Sequence, residues 1–456
     1  MSGILIDLLI GGVGCMFIAA LALTGVFRRL SPRGRVILGA SLALLLIVAL
    51  LATQLGAIRT EVAQQASPSH ATLIALSADT TGVDTVTALS GYDGSILWRR
   101  PLSLYLVSGV IADDTVYLTG SAQPNETREA LMALRLSDGA SLWRVALPGA
   151  QQRPSQLLVA GGLVIALAQT GSSTSSTGVI SSTYELIAID RLSHATIWRV
   201  AIPNAPLYSG FGALATGSGL LFLGSADGSV RALRLSDGAA AWSERISPPA
   251  TATQPAASLG VVARGDALIV YDSTGEVVSL RQRDGATLWG HPLPQPSYSY
   301  YLQQVTLASD NLYVCGFDTM THMRALMALN PLTGVTRWSR DSACDRDAPV
   351  ESGGYVYLLN PMQLTALRAS NGALIWQGLP EESDLGYTTL QGDGGAVFAA
   401  TIIANYRSIH VCGQWLPPGV SLCHNTQYVA AFNGATGARY WRTSDSYIGL
   451  LGITNG

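Results

Sequence analysis

The stretch Ala232-Leu233-Arg234-Leu235-Ser236-Asp237-Gly238-Ala239-Ala240-Ala241-Trp242 decides the fold, because its pattern recurs eight times. The frame is a small residue, a bulky apolar residue, four residues that commonly end in Asp or Thr, a Gly, three residues and a Trp. The copies end at Trp98, Trp143, Trp198, Trp242, Trp289, Trp338, Trp376 and Trp441. Four residues before each Trp stands Gly94, Gly139, Gly238, Gly285, Gly334, Gly372 or Gly437; the third copy has His194 instead. The small/apolar pairs are Ala88-Leu89, Ala133-Leu134, Ala188-Ile189, Ala232-Leu233, Ser279-Leu280, Ala328-Leu329, Ala366-Leu367 and Ala431-Phe432. Of the nine Trp, only Trp415 lies outside the frame.

Successive copies are 45, 55, 44, 47, 49, 38 and 65 residues apart. Periods of about 40–50 residues mark propeller blades or helical arrays. Short alternating apolar runs broken by Asp-Gly and Thr-Gly exclude the helical choice, because such dipeptides supply the positive φ that tight hairpins need. In the fourth repeat Leu220–Gly224 reads as a strand, Ala226-Asp227-Gly228 as a turn and Ser229–Leu235 as the next strand. Ser236-Asp237-Gly238 is a second turn, and Ala239–Glu244 the outer strand. A further strand near Phe211–Thr216 completes four, which is one blade. The Gly closes the hairpin into the outer strand. The Trp on that strand can bury its ring between blades and reach a backbone carbonyl with its indole N–H. The small residue would let neighbouring backbones approach. These residues are therefore read as structural repeat positions, not as a cofactor box.

Repeats written Ala-Leu-x-x-x-[Asp/Thr]-Gly-x-x-x-Trp resemble the quinoprotein-type, or PQQ-like, β-propeller repeat over roughly residues 70–456. That family includes quinoprotein alcohol dehydrogenases and the non-enzymatic scaffold of the outer-membrane protein assembly machinery. The resemblance implies the fold; activity has to be argued from a site.

The expected architecture is all-β: an eight-bladed propeller of four-stranded blades over residues 70–456, preceded by a transmembrane helical hairpin. Residues 1–35 hold the first span and an Arg-rich loop, 36–58 the second span, and 59–69 a polar tether with Pro68. The run 8–27 and the run Val36–Ile58 carry no charge. A helix of about 23 residues reaches about 35 Å, enough for a hydrocarbon core of about 30 Å. Arg28, Arg29, Arg33 and Arg35 place the loop between the runs in the cytoplasm, and the propeller outside the cell membrane. No basic residue precedes the first run, which argues against a cleaved signal peptide. The propeller opens at Ala71–Leu76 without a preceding inner strand, and Tyr447–Ile453 follows the last Trp without a hairpin of its own. The C-terminal strand is thus expected to complete the first blade, leaving no free edge between the ends.

Three inserts interrupt the repeats. Gly171–Ser182 reads as a flexible hairpin loop, Pro248–Pro255 as a connection between blades, and Ala404–Gln427 as the longest loop. The last contains His410, Cys412, Cys423 and His424. Four Cys outside the membrane runs fit two disulfides in an oxidising compartment, Cys412 with Cys423 and Cys315 with Cys344. The alternative, a metal site from the His410/Cys412 and Cys423/His424 pairs, is disfavoured because adjacent ligands suit tetrahedral geometry poorly.

With 456 residues, 12% charged and a net charge of −3, the chain gives no sign of a nucleic-acid partner. The resemblance implies that a dehydrogenase would show adjacent cysteines over the quinone, and Ca²⁺ held by Glu, Asn and Asp. There are no adjacent cysteines. The acidic cluster Asp341, Asp345, Asp347, Glu351 lacks a calcium-loop spacing and reads as a solvated loop. His194 reads as an exposed turn residue. No catalytic or metal-binding residue is assigned and no cofactor is expected. The leading expectation is a non-catalytic, membrane-anchored scaffold that binds another envelope or membrane protein or a ligand, and contacts lipid through its two helices. The alternatives are a PQQ- and Ca²⁺-dependent alcohol or sugar dehydrogenase with an atypical site, and a membrane sensor.

Overall fold

The computed structural model describes residues 69–78, 84–102, 105–121, 129–147, 152–174, 180–202, 214–225, 227–247, 259–272, 275–292, 300–308, 310–318, 324–341, 348–360, 363–378, 385–403, 427–443 and 449–454. Both apolar runs, nearly all of the tether, the insert at 404–426, and Cys344, Cys412 and Cys423 lie outside the described residues. Among the described residues no helix is long and apolar enough to cross a membrane.

Eight antiparallel sheets of four strands each make eight blades. The fourth blade runs Leu214–Gly217, Leu220–Gly224, Ser229–Arg234 and Ala240–Arg245, in spatial as in sequence order. The first blade is built otherwise. Its order is Ile96–Pro101, Asp84–Ser90, Thr72–Ala78 and then Gly449–Thr454, so the C-terminal strand supplies its first strand. First strands face the axis: they touch from blade to blade, and the C-terminal strand touches those of the second and eighth blades. Fourth strands lie outside and are the most exposed, as in Ala240–Arg245.

Strand direction sorts the connections between two rims. The turns joining first to second and third to fourth strands lie on one rim, hereafter the short-turn rim. Ser69–Ala71 lead into the first blade there, where Gly91 N–H donates to Ala71 O. The connections between second and third strands, and those between blades, leave from the opposite rim.

Alternation along each strand gives every blade two apolar faces. Leu221, Leu223 and Leu233 pack towards the third blade, while Phe222, Val230 and Ala232 pack towards the fifth. Eight apolar clusters result, one for each junction between neighbouring blades. Burying each large side chain contributes about 1.5–3 kcal/mol, so cohesion is spread evenly round the ring.

One insert differs from its sequence reading. Gly171–Ser182 is not simply a loop. Strand Leu163–Thr174 continues into it and pairs with Ile180–Asp190, from Asp190↔Leu163 out to Ile180↔Thr174. The ladder runs on past a register shift at Thr183/Tyr184. Ser and Thr can keep the backbone hydrogen bonds of a solvated hairpin, so their polarity does not stop the pairing.

Candidate functional site: the interblade junctions and the axial cavity

The repeated phrase builds one junction seven times in nearly the same form. Its third-to-fourth-strand turn places Gly94, Gly139, Gly238, Gly285, Gly334, Gly372 and Gly437 at φ between 68° and 74°. At that φ an L side chain is strained. Each Gly donates its N–H to the carbonyl four residues back, as in Gly238 to Arg234 at 2.9 Å. Each also presses on the Trp of the preceding blade. A Cβ at Gly139 would lie 2.5 Å from Trp98 Cε3, and one at Gly334 would lie 2.6 Å from Trp289 Cε3.

The residue three before the Gly has its carbonyl committed to the preceding blade and, except at Pro331, its N–H committed to its own blade. Its N–H serves its own blade: Leu235 donates to Gly219 O, and Gln282 to Asp266 O. In the first blade Gly91 donates to Ala71 O, so Ala71 stands in for the missing inner turn. Its carbonyl accepts the indole N–H of the preceding blade. Trp98 donates to Leu136 O at 2.7 Å, Trp198 to Leu235 O at 2.8 Å and Trp242 to Gln282 O at 2.8 Å. Trp289 donates to Pro331 O at 3.1 Å, Trp338 to Ala369 O at 2.9 Å and Trp376 to Gly434 O at 2.7 Å. Trp441 donates to Gly91 O at 3.0 Å and closes the ring.

The small residue also sits between two large side chains. It lies directly opposite the Trp, as Ala232↔Trp242 and Ala328↔Trp338, and on its other side opposite a large second-strand residue, as Phe222↔Ala232 and Tyr313↔Ala328. The two rings meet across it, with centroids 5.8 Å apart for Phe222 and Trp242 and 5.9 Å for Tyr313 and Trp338. A larger residue between them would part the rings.

The third blade departs from the phrase, and its junction with the second departs too. His194 holds the left-handed φ of 61° without being Gly. It is half-buried, not simply exposed, and its ring lies 4.8 Å from that of Trp143, tilted 31°. Beside it, Arg191 donates from Nε to Tyr117 Oη at 2.6 Å and pairs with Asp113 at 2.8 Å. Burial alone would lower the guanidinium pKa. Its hydrogen bonds to Asp113 and Tyr117 outweigh that and hold it above its ordinary value.

Between the sixth and seventh blades lies a polar cluster. Tyr313 Oη donates to Glu351 at 2.5 Å, Asn311 Nδ2 donates to Tyr313 Oη at 3.0 Å, and Arg337 donates to Asn311 Oδ1 at 3.1 Å. Burial, reinforced by the bond to Glu351, pushes the Tyr313 phenol well above its ordinary range. Glu351 is therefore half-buried and bonded, which corrects its reading as part of a solvated acidic loop. Asp345 and Asp347 lie outside the described residues. No group of three or more His, Cys, Asp or Glu that could hold a metal occurs among the described residues. Cys315 is fully buried on Leu312–Asp318.

The first strands of the fourth, fifth and sixth blades line an open cavity of about 570 Å³ on the axial side. Leu214, Ala215, Val261, Val262, Ala263, Val305 and Leu307 contribute its apolar surface, and Thr216, Thr306 and Arg264 its polar side chains, so the lining is mixed in character. Thr306 Oγ1 is buried with no partner among the described residues, and Arg264 donates to Ala308 O. No motif signalled this cavity, because the first strands carry no repeated phrase.

A family model described as outer membrane protein assembly factor BamB matches residues 82–178, 171–378 and 322–449. Among solved structures, BamB from Moraxella catarrhalis is 19% identical, with a TM-score of 0.52 over 73% of this chain and 92% of that chain. The computationally designed Ika8 protein is 15% identical, with a TM-score of 0.51 over 73% and 94% of the two chains. A quinohemoprotein alcohol dehydrogenase from Pseudomonas putida HK5 is 12% identical, with a TM-score of 0.49 over 73% and 68%. No curated protein matches. At these identities the structural likeness speaks to the fold alone.

Proposed function

The chain belongs to the PQQ-like β-propeller family described as outer membrane protein assembly factor BamB, and from that membership we propose that it is a protein-binding scaffold rather than an enzyme. The proposed setting is the cell membrane, with residues 8–27 and 36–58 as two spans and the propeller on the extracytoplasmic side. The partner class is another envelope or membrane protein. The observation that carries the reading is the family match across residues 82–449 to an assembly factor. The structure adds a physical reason. The repeated Trp and Gly are used in holding blades together, so the ring is a rigid frame that leaves its rims for recognition. Disulfides pairing Cys315 with Cys344 and Cys412 with Cys423 belong to the same proposal, because such bonds persist in an oxidising compartment.

The quinone reading finds no support in the axial cavity. Pyrroloquinoline quinone carries three carboxylates, and Ca²⁺ takes oxygen ligands. The cavity lining offers one cation, Arg264, and no carboxylate or carboxamide. The residues there do not fit the group.

The test is crosslinking of the full chain in native membranes, followed by capture and mass spectrometry. The proposal expects one envelope or membrane protein to be enriched reproducibly. Crosslinked chain without any such partner, alongside stoichiometric quinone uptake by the purified protein, would overturn it.

A further inference from the structure

We infer that the short-turn rim is a lipid-facing surface, seated on the bilayer by three apolar turn tips. The inference rests on the membrane-anchored reading and deepens it.

The tips occupy one position of the repeated turn, two residues before the Gly. Most blades place Ser, Arg or Ala there: Ser137, Ser236, Arg283, Ser370 and Ala435. Three blades place large apolar or aromatic residues instead, and all three are exposed. Tyr92 in the first blade is 51% exposed, Leu192 in the third 90% and Leu332 in the sixth 78%. Val335, in the same turn as Leu332, adds a further side chain at 63%. A Leu left almost wholly in water at the tip of a turn contributes nothing to the core. Such side chains are what an interfacial protein inserts into the headgroup boundary.

Their placement selects the occupant. The tips are two, three and three blades apart round the ring, so they enclose its axis. Three points spaced in this way bear evenly on a broad, flat surface; a peptide or a single groove-filling helix would reach one of them. The chain before the propeller arrives at the same rim. Ser69 Oγ donates to Asp393, Ala71 N–H donates to Ser69 Oγ at 2.9 Å, and His70 stacks on Tyr92 with ring centroids 5.7 Å apart. Only ten residues, 59–68, separate Ser69 from the second uncharged run.

Charge is not the attraction. Arg135 pairs with Asp138, Arg234 with Asp237, Arg281 with Asp284 and Arg191 with Asp113 on the same rim. These Arg are neutralised in place, and the rim also carries Asp93, Asp114, Asp190 and Asp266, so no cationic field draws it to anionic lipid. Lipid contact should therefore depend on apolar insertion, and little on lipid charge or salt.

The experiment places a photo-crosslinking amino acid at position 192, 332 or 276 of the full chain. Glu276, exposed at the start of its strand, reports the opposite rim. The protein is reconstituted into phosphatidylcholine vesicles, with and without phosphatidylglycerol, and irradiated. Lipid adducts at 192 and 332, several-fold above those at 276 and insensitive to lipid charge and salt, are expected. Chain that floats with the vesicles yet gives no excess of adducts at 192 and 332 keeps the anchor and overturns the lipid-facing rim. Crosslinks from 192 or 332 to protein in place of lipid overturn it equally. Chain that fails to float removes the anchor and the inference together.

Discussion

Gly94 of the first blade lies against the ring of Trp441 of the eighth, so closely that a Cβ at 94 would stand 2.5 Å from Trp441 Cε3. Every other Trp–Gly contact of the ring joins neighbours in sequence. This one joins the ends, with the same geometry as Gly139 on Trp98. The C-terminal strand closes the first sheet, and this contact locks that sheet to the last.

Substituting a junction glycine tests how much of the contact is packing and how much is backbone. Gly238 has φ 72°, and a Cβ there would lie 2.8 Å from Trp198 Cε3. Gly219 has φ 76° with nothing within 4 Å. Gly219→Ala should cost about 1–2 kcal/mol from backbone strain alone. Gly238→Ala should cost about 2–5 kcal/mol, because overpacking adds about 1–3 kcal/mol. Denaturant unfolding of the two variants checks the difference.

His194 sets two effects against each other. Glycine there relieves the left-handed strain, about 1–2 kcal/mol, and loses a ring contact of about 0.5–1.5 kcal/mol. His194→Gly should therefore fall between a loss of about 0.5 kcal/mol and a gain of about 1.5 kcal/mol in stability. His194→Ala keeps the strain and loses the ring, so it should be the less stable of the two. The fluorescence of Trp143 should shift in both.

Two buried tyrosines on equivalent strand positions should respond oppositely to loss of the hydroxyl. Tyr313 Oη is bonded to Glu351 and Asn311. Tyr357 Oη is buried without a partner among the described residues and is pressed on Gly434. Tyr313→Phe should destabilise by about 1–2 kcal/mol, whereas Tyr357→Phe should be neutral or stabilising by up to about 1 kcal/mol. Thermal unfolding of both variants decides it.

Acid should weaken the turns of the repeat together. A side-chain hydrogen bond from Arg234 and the Ala239 N–H hold Asp237 below its ordinary value of 3.8. The Ala140 N–H and Arg135 do the same for Asp138, and the Ala286 N–H and Arg281 for Asp284. A carboxyl whose folded pKa is lowered gives its full contribution above 3.8, and loses it as pH falls through the lowered value. Unfolding midpoints should therefore fall below about pH 4. In Asp237→Asn, which keeps the turn's acceptor, that fall should be shallower.

The blade count and the turn glycines were legible because each depends on residues at fixed spacing inside one hairpin, and the closing strand because the first copy lacks an inner strand while the last run lacks a hairpin of its own. A five-residue turn needs its positive φ at one place, and the Trp follows four residues later in all eight copies. The partner ring across the small residue was not legible. Phe222 precedes Ala232 by ten residues, Tyr313 precedes Ala328 by fifteen and Phe398 precedes Ala431 by thirty-three. The connection between second and third strands varies freely in length, so no spacing in the chain records that rung.

What the sequence determined by itself was local: hairpin periodicity, turn chemistry and the number of repeats, all fixed by contacts within about a dozen residues. Only the tertiary structure decided which blade each Trp serves, that Glu351 is bonded to Tyr313, and that Tyr92, Leu192 and Leu332 share one rim. Those relations join residues from different hairpins, and their positions exist only once the ring has closed.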